Sequence, residues 1–468
     1  MNSINKSIAE SLCRIVGEDF VIEDLDKKQS YLYDQVMETV RPAANENSIV
    51  VKPSCTDEIS KIMRLANDNA VPVVVRGGGT GLSGGAIPVR ESIVMSMERL
   101  NNILEVDRAN MVAVLEPGVT LADIIEEMDN HQGIWFPAHP GDEGAHIGGM
   151  AATNAGGSRA VKHGVMRKHI QGMEVVLANG EVVNLGGKLV KDNAGYNLMN
   201  LIIGSDGTLA VITKVILRLY PEEKYSGTII ASFESLTDAS AACLEIIASG
   251  SVPLAVEYQD RDLWRGTARM VGRKWQLEKG DADIMIIVSE PDEEKFYSTC
   301  RRIYEVCKKN KACEQYFAGK KSEQADLLKI RSQMYEFSRQ RTSHAFDMAV
   351  PVGQIAAFLG DLRKLFAKYD TTTNITAHVA DGNIHNDILL INGKTAPYVE
   401  ELKTEMYALC FSYGGTITGE HGVGKLRRKD LTKQKSETEL ALMRGIKHTF
   451  DPKGILNPDT LLESTCLV

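Results

Sequence analysis

A strand that runs straight into a long glycine loop restricts this chain more than any other stretch: Val73-Val74-Val75-Arg76-Gly77-Gly78-Gly79-Thr80-Gly81-Leu82-Ser83-Gly84-Gly85. Residues 79–84 satisfy G-x-G-x-x-G after a strand, and Glu98 ends a later one, which is the outline of a Rossmann dinucleotide site. The connection that follows excludes that reading. A Rossmann turn feeds a helix that crosses back over the sheet, whereas only the seven residues Gly85–Glu91, with a Gly and a Pro among them, precede the next strand. A Walker loop fails as well, for no Gly-Lys-Ser/Thr follows. What remains is a loop whose own backbone N–H groups form a nest for a diphosphate, with Arg76 adding charge and Thr80 and Ser83 hydroxyl donors. The alternative is a tight glycine connection and nothing more, but this many adjacent glycines are conformationally costly unless a ligand must approach the backbone.

Two more glycine segments follow: His139-Pro140-Gly141-Asp142-Glu143-Gly144-Ala145-His146-Ile147-Gly148-Gly149-Met150-Ala151-Ala152-Thr153-Asn154-Ala155-Gly156-Gly157, and Gly204-Ser205-Asp206-Gly207-Thr208-Leu209. Together the three suggest backbone wrapped around one extended ligand. The surrounding pattern is β-rich with helices between. Residues 48–76 read as a βαβ unit whose helix is capped by Thr56 and carries an Ile59, Ile62, Met63, Ala66 stripe. Strands are expected at 92–97, 111–116 and 208–220, a capped helix from Thr120, and a hairpin over 173–185 turning at Asn179-Gly180. RGGGTGLSGG, IGGMAATNAGG and GSDGTLAVIT, in this order, resemble the vanillyl-alcohol-oxidase type of FAD-binding domain over residues 45–222. That likeness implies FAD held by Arg76, Gly77, Gly78, Gly79, Thr80, Gly81, Leu82, Ser83, Pro140, Gly141, Ile147, Gly148, Gly149, Ala152, Asn154, Gly157, Gly207 and Ile212. Some members attach flavin through a histidine in the first loop; Thr80 stands in that run with no histidine, so noncovalent FAD is expected. Asp206 replaces the more usual glutamate and preserves an acceptor.

The length of 468 residues is too great for one core, and 43% hydrophobic with 25% charged residues argues against disorder. A net charge of −9 without basic runs beyond Arg427-Arg428-Lys429 leaves no electrostatic footprint for nucleic acid. No signal-like amino terminus and no apolar run of about 20 residues is visible, so a cytoplasmic protein without a transmembrane segment is expected. Eight cysteines (Cys13, Cys55, Cys243, Cys300, Cys307, Cys313, Cys410 and Cys466) include no CxxC pair, which suits reduced thiols. Electrons collected by this chain must therefore leave by a route other than an iron–sulfur cluster of its own.

After Pro221 and Glu222-Glu223-Lys224 the rhythm changes to strand 228–233, helix 237–249, strand 253–258, strand 283–288, helix 292–310 and strand 312–317. This βαββαβ order is ferredoxin-like. The overall expectation is an α+β chain: an amino-terminal segment over 1–44, an FAD-binding domain over 45–222, and a ferredoxin-like substrate (cap) domain over 223–468 whose mainly helical carboxy-terminal segment returns to the flavin.

Two stretches there concentrate ligand types: His378-Val379-Ala380-Asp381-Gly382-Asn383-Ile384-His385 and Gly419-Glu420-His421-Gly422-Val423-Gly424-Lys425. The histidines are too far apart for one helical pair, but a chain doubling back at Asp381-Gly382 brings both imidazoles to one ion, with open positions for substrate if Glu420 joins them. On residue type alone, ligands and satisfied polar residues are equally good readings. Residues 224–460 resemble the carboxy-terminal domain of FAD-linked D-2-hydroxyacid dehydrogenases, through HVADGNIH, GEHGVG and Asp451-Pro452-Lys453-Gly454-Ile455-Leu456-Asn457-Pro458. The likeness implies a divalent metal (Zn, Mn or Fe) on His378, His385 and Glu420, His421 as base, Asn383 beside it among the catalytic groups, and Asn457 near the flavin. Arg331 stands at about the family spacing for a forked clamp on the substrate carboxylate, although a plain surface-helix arginine fits the sequence equally. Where 2-hydroxyglutarate enzymes carry a lysine, this chain has Ala345, which favours a short monocarboxylate, D-lactate before glycolate.

The implied reaction is oxidation of a D-2-hydroxy acid to the 2-oxo acid: the metal fixes hydroxyl and carboxylate, His421 takes the hydroxyl proton, and hydride passes to flavin N5. An electron-transferring flavoprotein or an iron–sulfur protein is the expected acceptor. The rival readings are a transferase of the ether-lipid-synthase type and a non-catalytic electron-transfer flavoprotein.

Overall fold

The computed structural model describes residues 4–464; Cys466 lies outside the described residues. The chain forms two compact units: Met1–Gly156, Val165–Tyr220 and Glu420–Val468 make the first, Gly157–Gly164 and Pro221–Gly419 the second. The boundary expected near 222 falls at Tyr220/Pro221, whereas the one expected at 44/45 is absent and the carboxy-terminal part is divided differently. The amino-terminal segment is built into the first unit, with Val21 pairing with Val51 and Leu12 sharing a core with Ile59, Ile62 and Met63. Residues 420–464 also belong to that unit rather than to the second.

In the first unit, Ile49–Val51, Ile93–Ser96 and Val73–Arg76 are parallel neighbours, and Val21–Ile22 adds an antiparallel edge. The helix Thr56–Asn69 makes the crossover, burying Ile59, Ile62, Met63 and Ala66. Its cap is Cys55 and not Thr56, whose hydroxyl instead donates to Glu174 Oε1 at 2.7 Å. A tertiary acceptor has taken the hydroxyl from its local role. The other expected cap forms: Thr120 and Asp123 make a reciprocal capping box on Leu121–Asp129. A five-stranded antiparallel sheet runs Ile103–Asp107, Val112–Leu115, Val211–Arg218, Ile170–Val176, Val182–Gly186, with the last two joined through Asn179-Gly180, Gly180 at φ +82°. The carboxy-terminal segment returns beside Val73–Arg76. Val73 N–H donates to Ile455 O and Asn457 N–H to Val73 O, both at 2.8 Å.

In the second unit the expected ferredoxin-like order is present and extended. Seven strands lie in the order Glu314–Ala318, Tyr225–Phe233, Ala282–Glu290, Ala255–Asp260, Thr373–His378, Asn383–Leu389, Thr342–Ala349, every pair antiparallel. The first four have the ferredoxin order. The last three lie where a mainly helical segment was expected, and two of them alternate apart from Asn386: Asn374, Thr376, His378 against Ile375 and Ala377; Asn383, His385, Asp387 against Ile384, Asn386 and Ile388. One side of this extension is polar, so the apolar signal of a strand is halved. Helices Leu236–Ala248 and Glu293–Lys309 pack on one sheet face. Arg261–Met270, a helix the sequence reading missed, and Lys321–Ser332 cover Ile230 and Met285 on the other. Among the described residues no helix is long and apolar enough to cross a membrane.

Candidate active site

In the first unit the glycine loops line one cleft. Gly77 through Ser83, Pro140, Gly148, Gly149, Ala152, Gly207, Ile212 and Asn457 all face it, and so do Glu420 and His421. No helix intervenes between Gly85 and Ile93, as the excluded crossover requires. The backbone approaches itself closely here: a Cβ on Gly78 would lie 2.5 Å from Gly144 O, and Gly79 has φ +73°. Only glycine leaves these N–H groups accessible.

Other expected FAD residues support the loops instead of lining the cleft. Arg76 is buried below Gly79, its guanidinium donating to Tyr33 O at 2.7 Å and Ser30 O at 2.9 Å. Ile147 is fully buried in the core. Asn154, at φ +52°, ends the helix Ile147–Thr153 and accepts from Arg167 N–H at 2.9 Å. Gly141, at φ +102°, is a turn position, and Gly157 belongs to the second unit. Asn457 lines the cleft but is also a brace, accepting from Val75 N–H at 3.0 Å and donating to Asp206 O at 2.8 Å. Asp206 accepts from Gly424 N–H at 2.8 Å, so the third glycine segment catches the loop that carries Glu420 and His421.

Sequence reading missed two groups that line the cleft and one part-buried beside the glycine loop. Asp34 and His146 line the cleft, and Asp34 Oδ2 and His146 Nδ1 are buried polar atoms without a hydrogen-bond partner. Burial raises the Asp34 carboxyl and lowers the His146 imidazole from their ordinary values. Lys425, under the glycine loop, donates to Gly85 O at 3.0 Å and Thr460 Oγ1 at 2.8 Å; burial lowers its pKa to about 8 despite Asp34, Asp459 and Asp206. No local motif marks Asp34, and His146 stands in the second glycine segment without a role that its sequence position reveals. Only their placement marks them, and an unsatisfied carboxylate oxygen and imidazole nitrogen on a glycine cradle fit the hydroxyl and N–H groups of a polar cofactor.

In the second unit the hairpin brings together the two expected histidines. His378 pairs in register with Asn383, and Thr376 with His385, which puts both imidazoles on the polar sheet side, ring centroids 5.4 Å apart and nearly perpendicular. A carboxylate stands behind each: Glu257 Oε1 is 2.5 Å from His378 Nδ1, and Asp347 Oδ1 is 3.5 Å from His385 Nδ1. For His378 this is the support that a metal-bound imidazole requires, since a carboxylate hydrogen-bonded to one ring nitrogen leaves the other as a ligand, whereas His385 Nδ1 has Asp347 nearby but no hydrogen bond to it. Asn383 donates to Asp347 Oδ1 at 2.8 Å and Met348 O at 2.9 Å, and so holds Asp347 rather than standing free for catalysis. Arg331, on Lys321–Ser332, donates from Nε to Glu257 Oε2 at 2.7 Å. The Glu257 carboxyl is held down to about 2: burial would raise it, but its contacts with His378 and Arg331 prevail. Ala345 pairs in register with Asp387, whose carboxyl burial raises to about 6. His344 points to the opposite side of the strand and stacks on Phe346, and Arg339 and Arg341 lie with Glu336 and the Phe337 ring.

Known proteins share both halves. Residues 222–461 match the family described as FAD linked oxidases, C-terminal domain, and residues 47–186 match an FAD binding domain. A D-lactate dehydrogenase of Archaeoglobus fulgidus is 38% identical over 94% of this chain and 96% of its own length. The chain belongs to the FAD-linked 2-hydroxyacid dehydrogenase family. It is an FAD-dependent oxidoreductase. The glycolate oxidase subunit GlcD of Bacillus subtilis is 32% identical over 97% of this family member and 96% of its own length. Among solved structures, a p-cresol methylhydroxylase matches with TM-score 0.77 at 16% identity, over 98% of this chain and 97% of that one. An alkyldihydroxyacetonephosphate synthase matches with TM-score 0.75 at 17% identity, over 97% and 85%. At such identities the likeness shows the fold alone, the vanillyl-alcohol-oxidase type, and gives the transferase reading no support.

Proposed function

We propose that the protein oxidises a short D-2-hydroxy acid, D-lactate before glycolate, to the 2-oxo acid with noncovalent FAD, a divalent metal and an external electron-accepting protein. The observation that carries the reading is the polar strand extension of the second unit, where two imidazoles lie together, His378 is hydrogen-bonded to Glu257 and Arg331 is anchored to the same carboxylate.

When bound, FAD supplies N5 as hydride acceptor and a divalent ion supplies a Lewis acid for the substrate oxygens. The chain's own residues do the rest. His378 and His385 present their Nε2 atoms, Glu420 is the third ligand proposed from its motif, and His421 removes the hydroxyl proton. Arg331 holds the carboxylate through its terminal nitrogens, because Nε is already committed to Glu257. The glycine loops cradle the pyrophosphate, with Arg76 and Asn457 holding them in shape. With FAD bound, His421 would hold the hydroxyl proton while the substrate gives up two electrons to the cofactor and becomes the 2-oxo acid. An external flavoprotein or iron–sulfur protein would accept those electrons.

Anaerobic addition of D-lactate tests the reading: the flavin band near 450 nm should bleach with formation of pyruvate, and acid should release FAD into the supernatant. Flavin that stays oxidised with D-lactate, glycolate and D-2-hydroxybutyrate alike would refute it.

A further inference from the structure

We propose that Glu257 is a positioning residue that sets the metal ligand His378 and the carboxylate clamp Arg331 together. This rests on the reading above, in which those two residues bind metal and substrate.

Glu257 lies on Ala255–Asp260, in register with His378 on one neighbouring strand and Met285 on the other. It is buried, with a side-chain exposure of 3%, and each oxygen has one partner: Oε1 at 2.5 Å from His378 Nδ1, Oε2 at 2.7 Å from Arg331 Nε. A charged carboxylate is a costly occupant for an inner strand beside Met285, and it holds there because two cationic or polar partners meet it. What it does for each partner follows from hydrogen-bond chemistry. A carboxylate only accepts, so the His378 proton resides on Nδ1 and Nε2 keeps its lone pair for a metal. The bond to Arg331 Nε fixes the guanidinium plane and leaves Nη1 and Nη2 as the forked donors. One side chain therefore determines both the ligand tautomer and the clamp orientation, and disturbing it should weaken metal binding and substrate capture at once.

Glu257→Gln separates this from simple packing. The amide has the same shape but one accepting oxygen and one donating nitrogen. If oxygen faces Arg331, the amide N–H faces His378 Nδ1 and favours the tautomer with a proton on Nε2, which cannot ligate. If it faces His378, Arg331 Nε–H loses its acceptor. In the FAD-loaded full chain stripped with EDTA, Mn2+ titrated by calorimetry should bind about 10- to 100-fold more weakly to Glu257→Gln than to wild type. The KM for D-lactate should rise more than kcat falls, with FAD content unchanged. Glu257→Asp keeps two accepting oxygens and should give intermediate Mn2+ affinity. Wild-type Mn2+ affinity together with a wild-type KM for D-lactate in a folded, FAD-loaded Glu257→Gln protein overturns the proposal. If Glu257→Gln does not accumulate, Glu257→Asp decides: weakened Mn2+ binding in a folded protein supports positioning, wild-type binding refutes it. A wild-type protein that neither binds Mn2+ nor is reduced by D-lactate overturns the underlying reading instead.

Discussion

Replacing Arg331 by lysine keeps the charge and removes the fork, and the surroundings of Glu257 determine which partner is lost. Arg331 serves Glu257 through Nε at 2.7 Å, which leaves its terminal nitrogens for a substrate carboxylate. A lysine ammonium is a single point donor that cannot span both. Glu257 is buried and Arg331 is one-third exposed, with side-chain exposures of 3% and 33%, so the ammonium stays with the carboxylate that water cannot reach. The substrate then loses a charge-assisted pair of bonds, of which even one contributes about 1.5–3 kcal/mol. Partial exposure of the site places the expected loss toward the lower end. That corresponds to roughly 10- to 30-fold in kcat/KM at about 1.4 kcal/mol per decade. Stopped-flow bleaching of the flavin at increasing D-lactate should place most of the loss in KM, because a carboxylate contact is made in the ground state and the transition state alike. An Arg331→Lys protein whose kcat/KM lies within twofold of wild type would show that Arg331 is a helix-surface residue that happens to pair with Glu257.

Three further outcomes are expected. His378→Ala and Glu420→Ala should each lose bound divalent metal and D-lactate turnover while retaining FAD, as metal analysis beside a flavin spectrum will show; full metal occupancy in both contradicts the site. D-Lactate should exceed D-2-hydroxyglutarate in kcat/KM by at least roughly tenfold, or about 1.4 kcal/mol, since Ala345 offers no cation and its register partner is Asp387; competition for flavin reduction measures it, and a preference for the dicarboxylate refutes it. Lys447→Met should destabilise the fold by about 3 kcal/mol in denaturant titration, because buried Lys447 Nζ joins Asp451 Oδ2 (2.5 Å), Thr208 O (2.7 Å) and Leu456 O (3.0 Å), although Ile455 and Leu456 N–H groups still hold Asp451; a loss below about 1 kcal/mol would show that those N–H groups suffice.

Much of the architecture was legible locally. Glycine spacing and the short Gly85–Glu91 connection ruled out a Rossmann crossover, and the Thr120 cap, the Asn179-Gly180 turn and the βαββαβ rhythm each reflect interactions within a few residues. Locality also explains the misreadings. Thr56 looked like a cap until Glu174, 118 residues away, took its hydroxyl. The strands Thr373–His378 and Asn383–Leu389 looked unlike strands because every second residue, the one that faces the polar side, is polar.

By itself, then, the sequence determined the chemistry on offer: glycine nests for a diphosphate, a doubled-back histidine pair, a Glu-His loop and no cluster-forming cysteines. Tertiary structure alone decided how those groups are supported. Asp34 and His146 stand on the glycine cleft, Asn457 and Arg76 brace its loops, and Glu257 on a separate strand reaches both His378 and Arg331. The physical reason is range. Turns, caps and glycine conformations are set by neighbours along the chain, whereas a hydrogen bond between residues 121 apart, as in Glu257–His378, exists only once the sheet has assembled in register.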